Sequence, residues 1–294
     1  MASTLATNVS ALTDAIIDAT TMQMPQEAPL MNLVERPKIG KGHNALLLPR
    51  ASSTFGVQTP TDGDDLTTTS QFTLTSTTIT PTLRAIYVKI SERADRFSSE
   101  EITKLVSREL GRAQGQDIDV DISAEFANFA SGNDVGTTNT DLSIAVLRQA
   151  RRLLMANTVA NGGPAPQPLY TVLAPIPAEN LITNLGLQGV VSSTSPWIPD
   201  GLSAEFIRNY FVQGTTLIGS DVYWDGYLTE DGSGDFICAM FSRQAIQLAM
   251  SKDWDMKTFE ESEFIGVILR AVADYNSGIG KYTGWGSTIT ADGA

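Results

Sequence analysis

Polar and apolar residues alternate along some stretches of this chain and recur at helical spacing along others, and the two periods divide it into elements. The clearest alternation is the uncharged tract Leu66-Thr-Thr-Thr-Ser-Gln-Phe-Thr-Leu-Thr-Ser-Thr-Thr-Ile79. It follows the acidic turn Asp62-Gly-Asp-Asp65 and leads into Arg84-Ala-Ile-Tyr-Val-Lys-Ile90. β-Branched side chains fit a pleated surface, so both stretches read as strands. The Thr-rich tract has too few large apolar residues to build a core alone. With the strand candidate Asn44-Ala-Leu-Leu-Leu48 and a tip at residues 55–65, it predicts a hairpin. About 15 residues a side would give a reach of roughly 40 Å. A free ribbon of that length is marginal in water and exposes its edges, so it is expected to lie on another subunit.

Helical spacing marks other stretches. Leu5, Val9, Leu12 and Ile16 stripe one face of a short helix within an arm at residues 1–35. The extended segment Thr20-Thr-Met-Gln-Met-Pro-Gln-Glu-Ala-Pro-Leu-Met31 follows it. A frayed terminus and an arm docked on a neighbour are both open readings. Ser98-Ser-Glu-Glu101 is a capping box ahead of the stripe Ile102, Leu105, Val106 and Leu110. Ile118, Ile122, Phe126 and Phe129 resume that stripe after Gly111 and Gly115. The spacing predicts one helix over 99–129, roughly 45 Å long and weakened at the glycines. A second helix is predicted from Thr140, carrying Leu142, Val146, Leu153 and Leu154.

The later half alternates between strands and helices. Strands are predicted at 169–174, 236–241 and 264–273, and helices at 177–186, 202–211 and 243–250. Gly186 is the expected C-cap of the first of these helices. The mixture is α+β. No repeat with a period of 20–50 residues is visible.

Composition narrows the functional classes. With 42% hydrophobic and 18% charged residues, the chain can bury a sizeable core and is not composed like a disordered one. Thirty-three acids against 20 bases give a formal net charge of −13, which argues against a uniformly basic grip on nucleic acid. Cys238 is the single cysteine, inside the apolar run Phe236-Ile-Cys-Ala-Met-Phe241, so it reads as a packing residue and no intramolecular disulfide can form. The first basic residue is Arg36, so neither a secretory signal nor a transit peptide is expected. No run approaches the ~18 apolar residues of a membrane span, and no membrane partner is expected.

Reaction chemistry is sparse. His43 is the only histidine, in Gly40-Lys-Gly-His-Asn44 at the foot of the ribbon, and a turn or interface role fits it better than catalysis. One Cys and one His, far apart, make no zinc site. Asp62-Gly-Asp-Asp65 and Glu230-Asp-Gly-Ser-Gly-Asp235 lack the ligand spacing of an EF-hand and read as turns, with calcium as the other open reading. Gly40-Lys-Gly42 is a lone GxG without a phosphate-loop frame. Trp197, Trp224, Trp254 and Trp285 are scattered and read as packing residues. The expectation is therefore no enzyme, no cofactor and no metal.

The order of parts resembles the major capsid proteins of tailed bacteriophages, the Hong Kong 97-type fold that encapsulin shells share. The resemblance is carried by the C-terminal third. There Asp235-Phe-Ile-Cys-Ala-Met-Phe-Ser-Arg243 runs into Gln244-Ala-Ile-Gln-Leu-Ala249. Trp254-Asp-Met-Lys-Thr-Phe-Glu260 then precedes Val267-Ile-Leu-Arg-Ala-Val-Ala-Asp-Tyr-Asn-Ser-Gly-Ile279. The resemblance implies an N-terminal arm at 1–42 and an extended β-hairpin loop at 43–80. It implies a peripheral domain with a long spine helix at 81–130 and an axial domain at 131–250. Residues 251–294 would return to the peripheral domain and end in a tail after Gly284.

The implied function is a structural one: self-assembly into the icosahedral shell of a virion, made in the host cytoplasm. Hexamers and pentamers would enclose double-stranded DNA by containment, without sequence-specific binding. Portal, scaffolding and decoration proteins are the implied partners. Leu5, Val9, Leu12, Ile16, Phe72, Leu74 and Ile79 are the candidate inter-subunit contacts. Only about 42 residues precede the loop, so a separate scaffolding protein is expected in place of a built-in one. No lysine occurs between Gly42 and Val88, so the lysine crosslink some capsids form in this loop is not expected. Removing residues 44–79 is expected to leave a folded protein that cannot assemble. The rival readings are an encapsulin compartment, a carboxylate-based hydrolase with a Trp-lined cleft, and a tail or fibre component.

Overall fold

The computed structural model describes residues 20, 28–51, 73–91, 100–158, 162–191, 215–259 and 266–292. In chain order its elements begin with β1 (Leu46–Ala51), β2 (Leu74–Ile79), β3 (Thr82–Ser91) and the helix α1 (Glu100–Ala124). They continue with β4 (Val135–Gly136), α2 (Ile144–Met155), β5 (Leu169–Leu173), α3 (Pro175–Val191), β6 (Thr215–Leu217) and β7 (Ser220–Trp224). The chain then runs through β8 (Phe236–Ser242), β9 (Ile246–Phe259), β10 (Gly266–Ile279) and β11 (Gly286–Ala291). No described helix is long and apolar enough to cross a membrane. The chain divides into two compact units: 1–46, 79–122 and 248–277 form the first, and 47–78, 123–247 and 278–294 the second.

The first unit is built on a three-stranded sheet of order β3-β10-β9 and on most of α1. β3 and β10 are antiparallel, with Ile90 opposite Val267 and Thr82 opposite Tyr275. Ile90 and Leu269 centre a core joined by Val88, Val106 and Met256. α1 turns Leu110, Ile118 and Ile122 inward. Gly111 and Gly115 lie buried within it and do not interrupt it. The burial around them outweighs the ~1 kcal/mol that each glycine costs a helix. Leu105, placed in the stripe by sequence, is exposed. Residues 35–39 run along β9: Leu248 N–H donates to Glu35 O, Met250 N–H to Pro37 O, and Ile39 N–H to Met250 O.

The second unit holds a six-stranded mixed sheet of order β4-β11-β8-β5-β7-β6. β8 is antiparallel to both β11 and β5, while β5 is parallel to β7. Cys238, Ala239, Met240 and Phe241 are fully buried on consecutive positions, the mark of a strand covered on both faces. α2 packs on β11, β4 and β8. Phe126, Phe129, Phe241, Tyr170 and Tyr223 form a connected aromatic cluster. Gly286 faces this cluster, and a Cβ there would stand 2.1 Å from the Phe129 ring, so only glycine fits. β1 and β2 form a separate two-stranded ribbon.

Several sequence expectations are corrected. Residues 243–250 turn once and then enter β9 as a strand. A short run buried on both faces, Ile246 to Met250, carries no period that separates strand from helix. α3 begins at Pro175 and passes through Gly186 to Val191. α1 ends at Ala124 and continues as a single 3-10 turn, Glu125–Asn128. The chain beyond Gly284 is no tail: β11 lies inside the six-stranded sheet, between β4 and β8. The predicted helix over 202–211 and most of the ribbon, 52–72, lie outside the described residues.

Candidate functional site

The surfaces open for association begin with the ribbon. Leu47 on β1 and Leu74 on β2 are 63% and 62% exposed. Their neighbours Leu48 and Ile79 are buried, at 8% and 4%. Strand alternation produces this split, since successive side chains point to opposite faces. One face of the ribbon is anchored in its own chain and the other presents leucine to solvent. Arg50 holds the foot in place. Its Nε donates to Thr75 Oγ1 at 3.1 Å, its Nη1 donates to Lys281 O at 3.3 Å, and its guanidinium lies 5.9 Å from the Tyr282 ring centre. Sequence reading missed Arg50, because the partners that give it this role are 25 and 231 residues away.

Of the contacts named from sequence, Leu74 is open to a neighbour. Ile79 is already covered within its own chain, so its burial needs no neighbour. Leu5, Val9, Leu12, Ile16 and Phe72 lie outside the described residues. A second apolar surface, which sequence reading did not single out, lies on β3, where Leu83 and Tyr87 are exposed on an edge strand. Alternation along β3 was the signal that could have found it.

Titratable groups in the first unit form a network that ties α1 to β3 and β10. Arg84 Nη2 donates to Asp121 Oδ1 at 2.9 Å, and its Nη1 is 3.6 Å from Asp117 Oδ1. Ser277 N–H donates to Asp121 Oδ2 at 2.7 Å, and Ser277 Oγ donates to the Asp121 carbonyl at 2.7 Å. The fully buried Tyr275 donates its hydroxyl to Asp117. Burial, then the hydrogen bond to Asp117 and its charge, pushes the Tyr275 phenol up. Each member has a protein partner, so the network reads as structural bracing.

His43 sits in an exposed turn where its backbone N–H donates to Gly40 O at 3.2 Å. Asp231 Oδ1 accepts from Ser233 N–H at 2.7 Å and Asp235 N–H at 3.1 Å, which makes 230–235 a self-capped turn. The acidic loop at 62–65 lies outside the described residues. Among the described residues, no three His, Cys, Asp or Glu side chains gather as a metal site. Cys238 is buried, and desolvation pushes its thiol up to about 12. Trp254 packs edge-on to Tyr275, and Trp285 packs against Tyr282 and donates to Gly162 O.

The fold that carries these surfaces is that of tailed-phage capsid subunits, which is shared with encapsulin shells. The chain superposes on the capsid of cyanophage P-SCSP1u with a TM-score of 0.62 and 14% identity, covering 89% of this chain and 87% of that one. For the capsid of a native GTA particle the TM-score is 0.64 at 12% identity, with 90% of each chain covered. The holo-SrpI encapsulin of Synechococcus elongatus PCC 7942 gives 0.63 at 9% identity, covering 90% of this chain and 86% of that one. No protein-family model matches the sequence, and no curated protein matches it. The likeness is therefore one of fold.

Proposed function

We propose that copies of this chain assemble into a closed protein shell, the major capsid of a tailed phage. The observation that carries this reading is the fold's likeness to shell subunits over about nine-tenths of the chain in both directions. In this reading the first unit is the peripheral domain, with α1 as its spine helix, and the second is the axial domain. Hexamers and pentamers close the shell, and weak contacts repeated by symmetry give it stability. Leu47 and Leu74 supply apolar area to a neighbour, at about 25 cal/mol per Å² buried, less the entropy of ordering the ribbon. The arm stripe Leu5, Val9, Leu12 and Ile16 supplies more. Double-stranded DNA is held by containment, in keeping with an acidic subunit, and portal and scaffolding proteins complete the particle in the host cytoplasm. An encapsulin compartment is the second reading, favoured by the equal likeness to the SrpI shell.

Removal of residues 44–79 is too blunt a test, because Leu48 and Ile79 are buried and their loss would open the core. The sharper test is the pair Leu47→Asp and Leu74→Asp. Both side chains are exposed, so the variant is expected to keep the parent's circular dichroism and soluble yield. Negative-stain images are expected to show closed shells for the parent and none for the variant. Parent protein without shells both alone and when co-produced with a scaffolding protein, or variant shells of normal size, would overturn the reading. DNA protected from nuclease inside the particles separates a capsid from a compartment loaded with an enzyme.

A further inference from the structure

The helix α2, Ile144-Ala-Val-Leu-Arg-Gln-Ala-Arg-Arg-Leu-Leu-Met155, holds three arginines and no acid. Its Leu147, Ala150 and Leu154 are buried, and it packs on β11, β4 and β8. Ala145, Arg148, Gln149 and Arg152 stand at helical spacing and share another face. Arg148, Gln149 and Arg152 are exposed, and with Ala145 they line a hollow of about 450 Å³. Arg151 is engaged elsewhere. Its guanidinium lies over Gly219 in the turn from β6 to β7, where an added Cβ would stand 3.0 Å from Arg151 Cζ.

This chain carries 33 acids and 20 bases, so its cations have carboxylates in excess to pair with. The described ion pairs join Lys38, Arg84, Lys252 and Lys257 to aspartates. Among the described residues, Arg148 and Arg152 have no such partner. Two like charges one turn apart repel and cost the helix stability. Arg152 sits in the last turn, where the helix dipole offsets that cost, but Arg148 has no such offset. An unpaired arginine pair beside a hollow, in an acidic subunit, is the footprint of an anionic partner.

Charge density separates the two polyanions that could fill this role. A DNA duplex carries one phosphate charge per ~1.7 Å of its axis. An extended acidic polypeptide sets successive side chains about 3.3 Å apart and on alternate faces. The duplex backbone therefore meets both guanidiniums at once, and each planar fork can take a phosphate through two bonds. We propose that the exposed arginine face of α2 holds backbone phosphates of double-stranded DNA without reading its sequence. Gln149 adds a neutral donor beside the two cations. The inference rests on the capsid reading and deepens it, because it assigns this face of α2 to the side of the shell turned toward the enclosed DNA.

The test is fluorescence anisotropy of a labelled duplex with the full chain carrying Leu47→Asp and Leu74→Asp. That chain is expected to stay unassembled whether or not the parent forms shells, so this titration can fail while the capsid reading holds, and the reverse. Affinity is expected to fall roughly 20-fold between about 20 and 100 mM salt, as two phosphate contacts require. With Arg148→Gln or Arg152→Gln added, the fall is expected to shrink to roughly fourfold. Both side chains are exposed, so these variants are expected to keep the parent's circular dichroism. Lys41→Gln removes an exposed charge outside α2 and is expected to leave the salt dependence as it was. A duplex of unrelated sequence is expected to bind equally. No duplex binding at about 20 mM salt, an unchanged salt dependence in both arginine variants, the same change with Lys41→Gln, or a strong preference for one sequence would overturn the proposal. Poly-glutamate that binds through Arg148 and Arg152 at least as tightly as the duplex would also overturn it, in favour of an acidic protein segment.

Discussion

Asp121 shows how much one side chain can organise. Its carboxylate accepts from Arg84 on β3 and from Ser277 on β10, while its own residue sits on α1. Asp121→Ala leaves the Ser277 N–H and part of the Arg84 guanidinium without an acceptor. The expected loss is about 1.5–3 kcal/mol, read as a lower urea midpoint in the unassembled Leu47→Asp/Leu74→Asp background. Asp121→Asn, which keeps an acceptor for Ser277, is expected to lose less. Cys238 gives a prediction with a pH axis. Its thiol value is raised from 9.0 to about 12 by burial, so the folded state keeps the proton that the unfolded state gives up. That contribution is complete below pH 9 and is lost as pH rises from 9 to about 12. Stability is expected to fall by about 1.4 kcal/mol per pH unit across that window, and the raised Tyr275 phenol adds to the fall above pH 10. Iodoacetamide at pH 8 is expected to label Cys238 only after unfolding, and rapid native labelling would contradict its burial. The sequence showed Cys238 as a packing residue, because an apolar run is a local signal. It was silent on Asp121, because that role needs partners 37 and 156 residues away.

Among the elements, β11 departs furthest from its sequence reading. Gly286-Ser-Thr-Ile-Thr-Ala291 is short, polar and near the end of the chain, which is how a tail reads. In the fold it pairs with β8 from Gly286–Phe241 to Ala291–Phe236, and with β4 on its other side. Ser287 and Thr288 are buried with their hydroxyls donating to Asn133 O and Phe126 O, so polar composition costs the core little. Ending the chain after residue 285 is therefore expected to yield aggregated protein, whereas loss of a true tail would be silent. Soluble protein with the parent's circular dichroism would refute this. β9 teaches the same lesson in reverse, since its buried first half mimicked a helix. α1 was legible because its apolar spacing persists over many turns, and β3 and β10 were legible because Ile86, Val88 and Ile90 alternate along the one and Val267, Ile268, Leu269 and Val272 give the other an apolar run.

At the scale of the whole molecule, the shell proposed above requires a subunit that keeps part of its apolar surface for its neighbours. Shells held by repeated noncovalent contacts are expected to run as a single band of about 31.6 kDa on a denaturing gel, because residues 43–88 contain no lysine to crosslink. A ladder of covalent multimers would contradict this. The sequence by itself determined the α+β class, the long helix and the strand character of residues 46–51 and 74–79. These rest on local periods and on composition, which need no knowledge of distant neighbours. Only the tertiary structure decided which leucines of the ribbon stay open and that the last strand is interior. Those facts depend on which residues far apart in the chain are brought together, and no local pattern records that pairing.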